Sequence, residues 1–100
     1  MKLMKYFIDT HDHRTGTFPA GIGKPEFAAF FREFEKAARD EAVVVLRAHA
    51  GLADGRAFCF SAAADADAVR RAHEKAGLPF ETITEVATAT PGDLGFDPCL

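Results

Sequence analysis

The chain of 100 residues is short of several things, and each shortage excludes a class. No stretch approaches the roughly 20 apolar residues of a membrane span. The N-terminus lacks the long apolar run and small-residue cleavage site of a signal peptide. Two cysteines, Cys59 and Cys99, are too few for a disulfide framework. Free thiols without a leader set the expectation of a cytoplasmic protein with no membrane partner. Charge of one sign is scarce too, at a formal net −3. Dedicated nucleic-acid binders are usually basic, so no nucleic-acid partner is expected. Tryptophan is absent, which leaves ten phenylalanines with valine, leucine and alanine to build the core. A fully buried phenylalanine contributes on the order of 1.5–3 kcal/mol. Phenylalanine should therefore dominate a core that is thin at this chain length. No nucleophile elbow, Cys-x-x-Cys or paired-carboxylate arrangement is present. Gly21-x-Gly23 precedes a helix but lacks the rest of a dinucleotide fingerprint.

What is present reads as six elements. Leu3 to Thr10 is a first strand centred on Tyr6, Phe7 and Ile8. A glycine- and proline-rich loop follows from Arg14 to Lys24. Pro25 opens a helix, where its missing N–H is harmless. Phe27, Phe30, Phe31, Phe34, Ala37 and Ala38 recur at helical spacing and read as core. Val43 to Ala50 is a second strand, Asp54-Gly55 a hairpin signal, and Arg56 to Ser61 a third strand. Asp65 is an N-cap for a second helix, and Gly77 stops it in the left-handed manner. Glu81 to Ala89 is the last strand. The division expected is a single domain over 1–90 with a C-terminal tail over 91–100.

The order β-α-β-β-α-β specifies an α+β, ferredoxin-like fold. Its four-stranded antiparallel sheet has spatial order 4-1-3-2 with both helices on one face. Strand 2 does not alternate: Val43 and Val45 face one side, Val44 and Leu46 the other. Strand 1 likewise sets Phe7 against Tyr6 and Ile8. A strand apolar on both sides is buried on both sides, and the helices cover only one. The expectation is a homodimer packed through the open sheet face.

The sharpest chemical signal is Asp9-x-His11-x-His13. On a strand these three side chains share a face. Two imidazoles and a carboxylate there suit a divalent transition metal. The same residues also suit a solvated loop entrance. Asp12 has the opposite parity, so Asp9 is the better third ligand unless a tight turn at Thr10 reverses the choice. His49 shares a face with Arg47, Val43 and Val45. That pair could form a polar pocket inside the dimer interface, or a salt bridge at its rim, with Asp9 and Glu85 as partners. Within one subunit His11 and His49 are expected roughly 15–20 Å apart. Cys59, between Phe58 and Phe60, reads as a buried structural thiol. His73, beside Arg70, Arg71 and Lys75, reads as a solvated or half-packed surface group.

Several stretches together carry a resemblance. They include Phe7-Ile8-Asp9-Thr10-His11-Asp12, Gly16-Thr17-Phe18-Pro19, Ala57-Phe58-Cys59-Phe60, Asp67 to His73, Gly77-Leu78-Pro79 and Ile83-Thr84-Glu85-Val86. The chain resembles the small bacterial family of nickel-binding ferredoxin-like proteins. The resemblance implies a ferredoxin-like dimer and, for some members, bound nickel. One departure is Arg47, at a strand-2 position where relatives carry histidine; His49 follows two residues later. The leading expectation is a divalent-metal protein, with nickel, zinc or copper held by Asp9, His11, His13 and His49. Its binding should fade below about pH 6, where imidazole protonates. The alternative is a dimeric α+β barrel enzyme, monooxygenase- or isomerase-like, with a small-molecule pocket at Arg47 and His49. A third is a partner-binding module without a site of its own.

Overall fold

A computed structural model describes residues 4–92 of the chain. The tail expected over 91–100 and its Cys99 lie almost wholly outside the described residues. The elements run β1 (Lys5–Asp12), α1 (Lys24–Asp40), β2 (Val44–Gly51), β3 (Arg56–Ala63), α2 (Ala66–Ala76) and β4 (Thr82–Val86). A short 3₁₀ turn, His13–Thr15, closes β1. The sheet order β2-β3-β1-β4 is the expected 4-1-3-2 read from the other edge, and its described pairings are antiparallel.

Local chemistry explains the element ends. Glu26 accepts a hydrogen bond from the Gly23 N–H (2.6 Å) and caps the start of α1, where Pro25 leaves no donor unpaired. Asp65 accepts from the Ala68 N–H (2.9 Å) at the start of α2. Gly77 adopts φ 71°, a left-handed conformation that a Cβ would disfavour. Its N–H reaches the Glu74 carbonyl, and the Leu78 N–H reaches the His73 carbonyl (2.9 Å). This double bond pattern turns the chain sharply. It sends Leu78 back against the core.

The core lies between the helices and one sheet face. Phe7, Phe34, Val43, Val69 and the alanines 38, 63, 68 and 72 form it. Phenylalanine dominates it less than expected. Only Phe7, Phe34 and Phe60 are buried among the described phenylalanines. Alanine lets α1 and α2 approach the sheet closely instead.

The other sheet face carries Tyr6, Val44 and Leu46 at 45–49 % exposure. Phe60 is also on this face yet is only 7 % exposed. The Tyr6 ring stacks on it at 5.7 Å, and the Arg47 guanidinium lies 4.7 Å above its ring.

Two expectations about β2 are corrected here. The register steps from Val45↔Ser61 to Arg47↔Phe60, so Leu46 is an extra residue in a bulge. The bulge flips the parity, and Arg47 and His49 do not share a face with Val43 and Val45. Val43 is buried toward the helices, while Arg47 and His49 lie on the open face. Also, β1 and β2 both run antiparallel to β3 and so point the same way. His11 pairs with Ala57, which pairs with Ala50, beside His49. The two histidines are therefore level along the sheet but on opposite faces, and no long axial separation divides them.

Candidate metal centre

Alternation along β1 places Phe7, Asp9 and His11 on the helix-covered face, with the strand running straight through Thr10. The expected parity of Asp9 and His11 is therefore present. His13 is not on the strand. Asp12 accepts from the Arg14 N–H (2.9 Å) and starts the 3₁₀ turn, which carries His13 to the exposed surface. There its ring lies against Gly55, where any Cβ would collide with it. Asp12 itself pairs with Arg14 (2.9 Å) and Arg56 (3.3 Å). The hydrogen bond from Arg14 lowers its carboxyl to about 2. Asp12 is a structural anchor for the turn.

The third member comes from an unexpected place. His73, on α2, is 1 % exposed and packs between Phe34 (4.4 Å) and Phe80 (5.2 Å). The expectation of a surface histidine is corrected. The small stripe Ala68, Val69 and Ala72 draws α2 onto the sheet, and His73 goes in with it. Among the described residues, Asp9, His11 and His73 are the one group of histidine, cysteine or acidic side chains whose ligand atoms all lie within 4.8 Å of one another.

The hydrogen bonds settle which atoms converge. His11 Nδ1 lies 2.8 Å from the Pro79 carbonyl oxygen. His73 Nδ1 lies 2.8 Å from the Val69 carbonyl oxygen. A carbonyl only accepts, so both Nδ1 atoms carry the proton and donate. In a neutral ring the other nitrogen then has a bare lone pair. Both Nε2 atoms point at one oxygen, Asp9 Oδ1, at 2.7 Å from His11 and 3.0 Å from His73. Asp9 is completely buried, and its second oxygen, Oδ2, takes no hydrogen bond. A bare lone pair facing a carboxylate is repulsive, so a cation must lie between them. That cation is a proton or a metal ion.

The electrostatics agree. Burial pushes the Asp9 carboxyl up, but the hydrogen bonds and charges of His11 and His73 outweigh it and hold the group below its ordinary range. Burial pushes His11 down, and the Asp9 carboxylate more than reverses this, so His11 lies above the usual imidazole value. Cys59 pairs with Asp9 in register and is buried beside it. Burial, together with the Asp9 charge, raises the thiol far above its ordinary value. Without a metal the Cys59 thiolate is thus disfavoured, and its sulfur is not part of the Asp9, His11 and His73 group.

The donor set fits a divalent transition metal. With metal–ligand bonds of about 2.1 Å, two ligand atoms at right angles lie about 3.0 Å apart. The observed 2.7 and 3.0 Å are close to that separation. Both imidazoles have the backbone-bonded second nitrogen that orients metal-binding histidines. The Gly77 turn supplies one of these bonds, since it delivers the Pro79 carbonyl to His11.

Residues 7–86 match the family described as nickel responsive protein SCO4226-like. The chain belongs to that family. A solved structure of SCO4226 from Streptomyces coelicolor A3(2) superposes on this SCO4226-like protein with a TM-score of 0.74 and 30% sequence identity. The match covers 85% of the chain and 99% of that structure. No curated protein matches the chain. The resemblance read from the sequence is thereby established. Of the four residues expected to ligate, the fold brings Asp9 and His11 together. It leaves His13 at the surface and His49 on the opposite sheet face, where the Arg47 Nε–H donates to His49 Nε2 (3.3 Å). Asp9 lies behind the sheet from that pair and is not its partner. His73 was missed because it is 64 residues from Asp9. Its one legible sign was its place at the end of the alanine stripe, between helix faces.

Proposed function

We propose that this SCO4226-like protein binds a divalent transition metal, nickel above all, through Asp9 Oδ1, His11 Nε2 and His73 Nε2. One observation carries the reading. Both Nδ1 atoms are committed to carbonyl oxygens, so both Nε2 lone pairs converge on a buried carboxylate that has an unpartnered second oxygen. Nickel stands above manganese, iron and cobalt and below copper in the usual affinity order of such ligands. The ligands alone do not select nickel; the family's description as nickel responsive supports that metal.

A second copy of the chain covering the open sheet face completes the proposal, in a cytoplasmic protein. Tyr6, Val44 and Leu46 supply the apolar area there. In that arrangement Arg47 and His49 are interface residues. The enzyme alternative would place its small-molecule pocket at Arg47 and His49, inside the same interface.

The test is calorimetric titration of metal-stripped, tag-free protein with Ni²⁺, Zn²⁺ and Cu²⁺ at pH 7.5. Binding at one metal per chain should be lost in His11→Ala and in His73→Ala. It should persist in the His13→Ala, His49→Ala double variant. Loss in that double variant with retention in His73→Ala would transfer the site to the originally expected residues. Sedimentation equilibrium of the wild type and a Leu46→Lys variant tests the dimer.

A further inference from the structure

The helix-1 phenylalanines were expected in the core, but only Phe34 is there. Phe27 and Phe31 are half-buried, and Phe30 is 39 % exposed. With Phe18 from the loop before α1, they wall a cavity of about 350 Å³. Its rings are ordered against one another: Phe18 and Phe27 lie 6.2 Å apart, and Phe27 stacks on Phe31 at 6.0 Å. The polar side chains on this lining are few. They are His11, His73, Cys59 and Thr17. An apolar chamber with a small number of convergent polar groups is the usual form of a small-molecule site.

Charge and size define the occupant. A divalent metal with one carboxylate and two neutral imidazoles keeps a net charge of +1, surrounded by buried side chains. A buried net charge needs a counter-charge. Three protein ligands also leave further coordination positions for an outside donor. Because His11 and His73 both line the cavity, that donor arrives through it. A dry cavity of about 150 Å³ already accepts benzene, so this one holds a ring with a head group. Phenylalanine walls favour an aromatic ring through edge and offset contacts.

We propose that the cavity binds a small aromatic molecule bearing one anionic oxygen head group, the ring among Phe18, Phe27 and Phe31 and the head group on the metal. The head-group half rests on the metal reading above; the aromatic half rests on the cavity alone.

Two probes separate the halves. Benzohydroxamate and acetohydroxamate share a metal-binding head and differ by the ring. On nickel-loaded protein, benzohydroxamate should bind about tenfold tighter or better, since burying a ring removes substantial apolar area from water. On metal-free protein, toluene should shift the NMR signals of Ala57 and Phe31. Phe27→Ala, which removes from the α1 wall a ring whose ring contacts are Phe18 and Phe31, should weaken benzohydroxamate and toluene and leave nickel affinity unchanged. Equal affinity for the two hydroxamates, with nickel bound normally, overturns this proposal and leaves the metal reading standing. Toluene binding without any nickel binding overturns the metal reading, and with it the head-group assignment. Full benzohydroxamate binding in a folded Phe27→Ala variant overturns the placement in this cavity.

Discussion

Exchanging His73 for phenylalanine tests whether its Nε2 is a metal ligand or only a structural hydrogen-bonding group. The site is an aromatic slot, with Phe34 at 4.4 Å and Phe80 at 5.2 Å, so the new ring keeps the shape and much of the packing. What disappears is the 3.0 Å contact from Nε2 to Asp9 and the Nδ1 bond to Val69. A hydrogen bond to a charged group contributes about 1.5–3 kcal/mol, partly offset here by the apolar ring. The metal-free variant should melt only moderately below the wild type. Nickel changes the comparison. At a free concentration 100 times Kd, binding stabilises the wild type by about 2.7 kcal/mol. For a domain of this size that raises Tm by roughly 11–22 °C, at about 4–8 °C per kcal/mol. If loss of the ligand weakens binding about 100-fold, the same nickel concentration equals Kd. It then stabilises by only about 0.4 kcal/mol, or about 2–3 °C. The assay is thermal melting by circular dichroism with and without nickel, reversed by chelator. A variant that keeps the full nickel shift would refute His73 as a ligand. A wild type with no shift at saturating nickel would show that the triad is held by protons alone.

Further outcomes follow from the same contacts. The metal-free protein should be most stable between about pH 4 and 6.5, the unfolded values of aspartate and histidine. Asp9 lies below its ordinary value, so its contribution is present above about pH 4 and lost as pH falls through the lowered value. His11 lies above its ordinary value, so its contribution is present below about pH 6.5 and lost as pH rises through the raised value. Nickel must displace that proton, so its affinity should weaken from a higher pH than the pH 6 expected of an ordinary imidazole; urea melts and titrations across pH 4–9 check both. Gly77→Ala forces a Cβ into φ 71° and should destabilise by about 1–2 kcal/mol. It should also weaken nickel binding by moving the Pro79 carbonyl off His11 Nδ1, read by melting and titration together. In a Cys99→Ser background, Cys59 should resist iodoacetamide at pH 8 until the protein unfolds, because it is buried and its thiolate is disfavoured. Rapid alkylation of the folded protein would contradict that.

Much of this molecule is readable along the chain because its causes are local. The capping carboxylate of Asp65, the left-handed Gly77 and the alternation of Phe7, Asp9 and His11 each act within a few residues. The strand and helix order then leaves few topologies, and the ferredoxin-like sheet is among them. Strand parity alone put Asp9 and His11 on one face. Other features depend on what lies across the fold. The Leu46 bulge turned Arg47 and His49 away from Val43 and Val45, and no pattern in the run Val43 to Ala50 marks it. The 3₁₀ turn at Asp12 removed His13, because a carboxylate found Arg14 and Arg56 as partners. His73 entered the site because alanines on α2 let the helix settle close to β1. The phenylalanines of α1 read as core by spacing, yet spacing says which face they share and not whether that face meets atoms or space. Local periodicity determined the elements and two of the three residues of the proposed site. The third residue, the shared oxygen and the cavity above them were decided by tertiary packing, since a group assembled from residues 64 apart exists only where two elements touch.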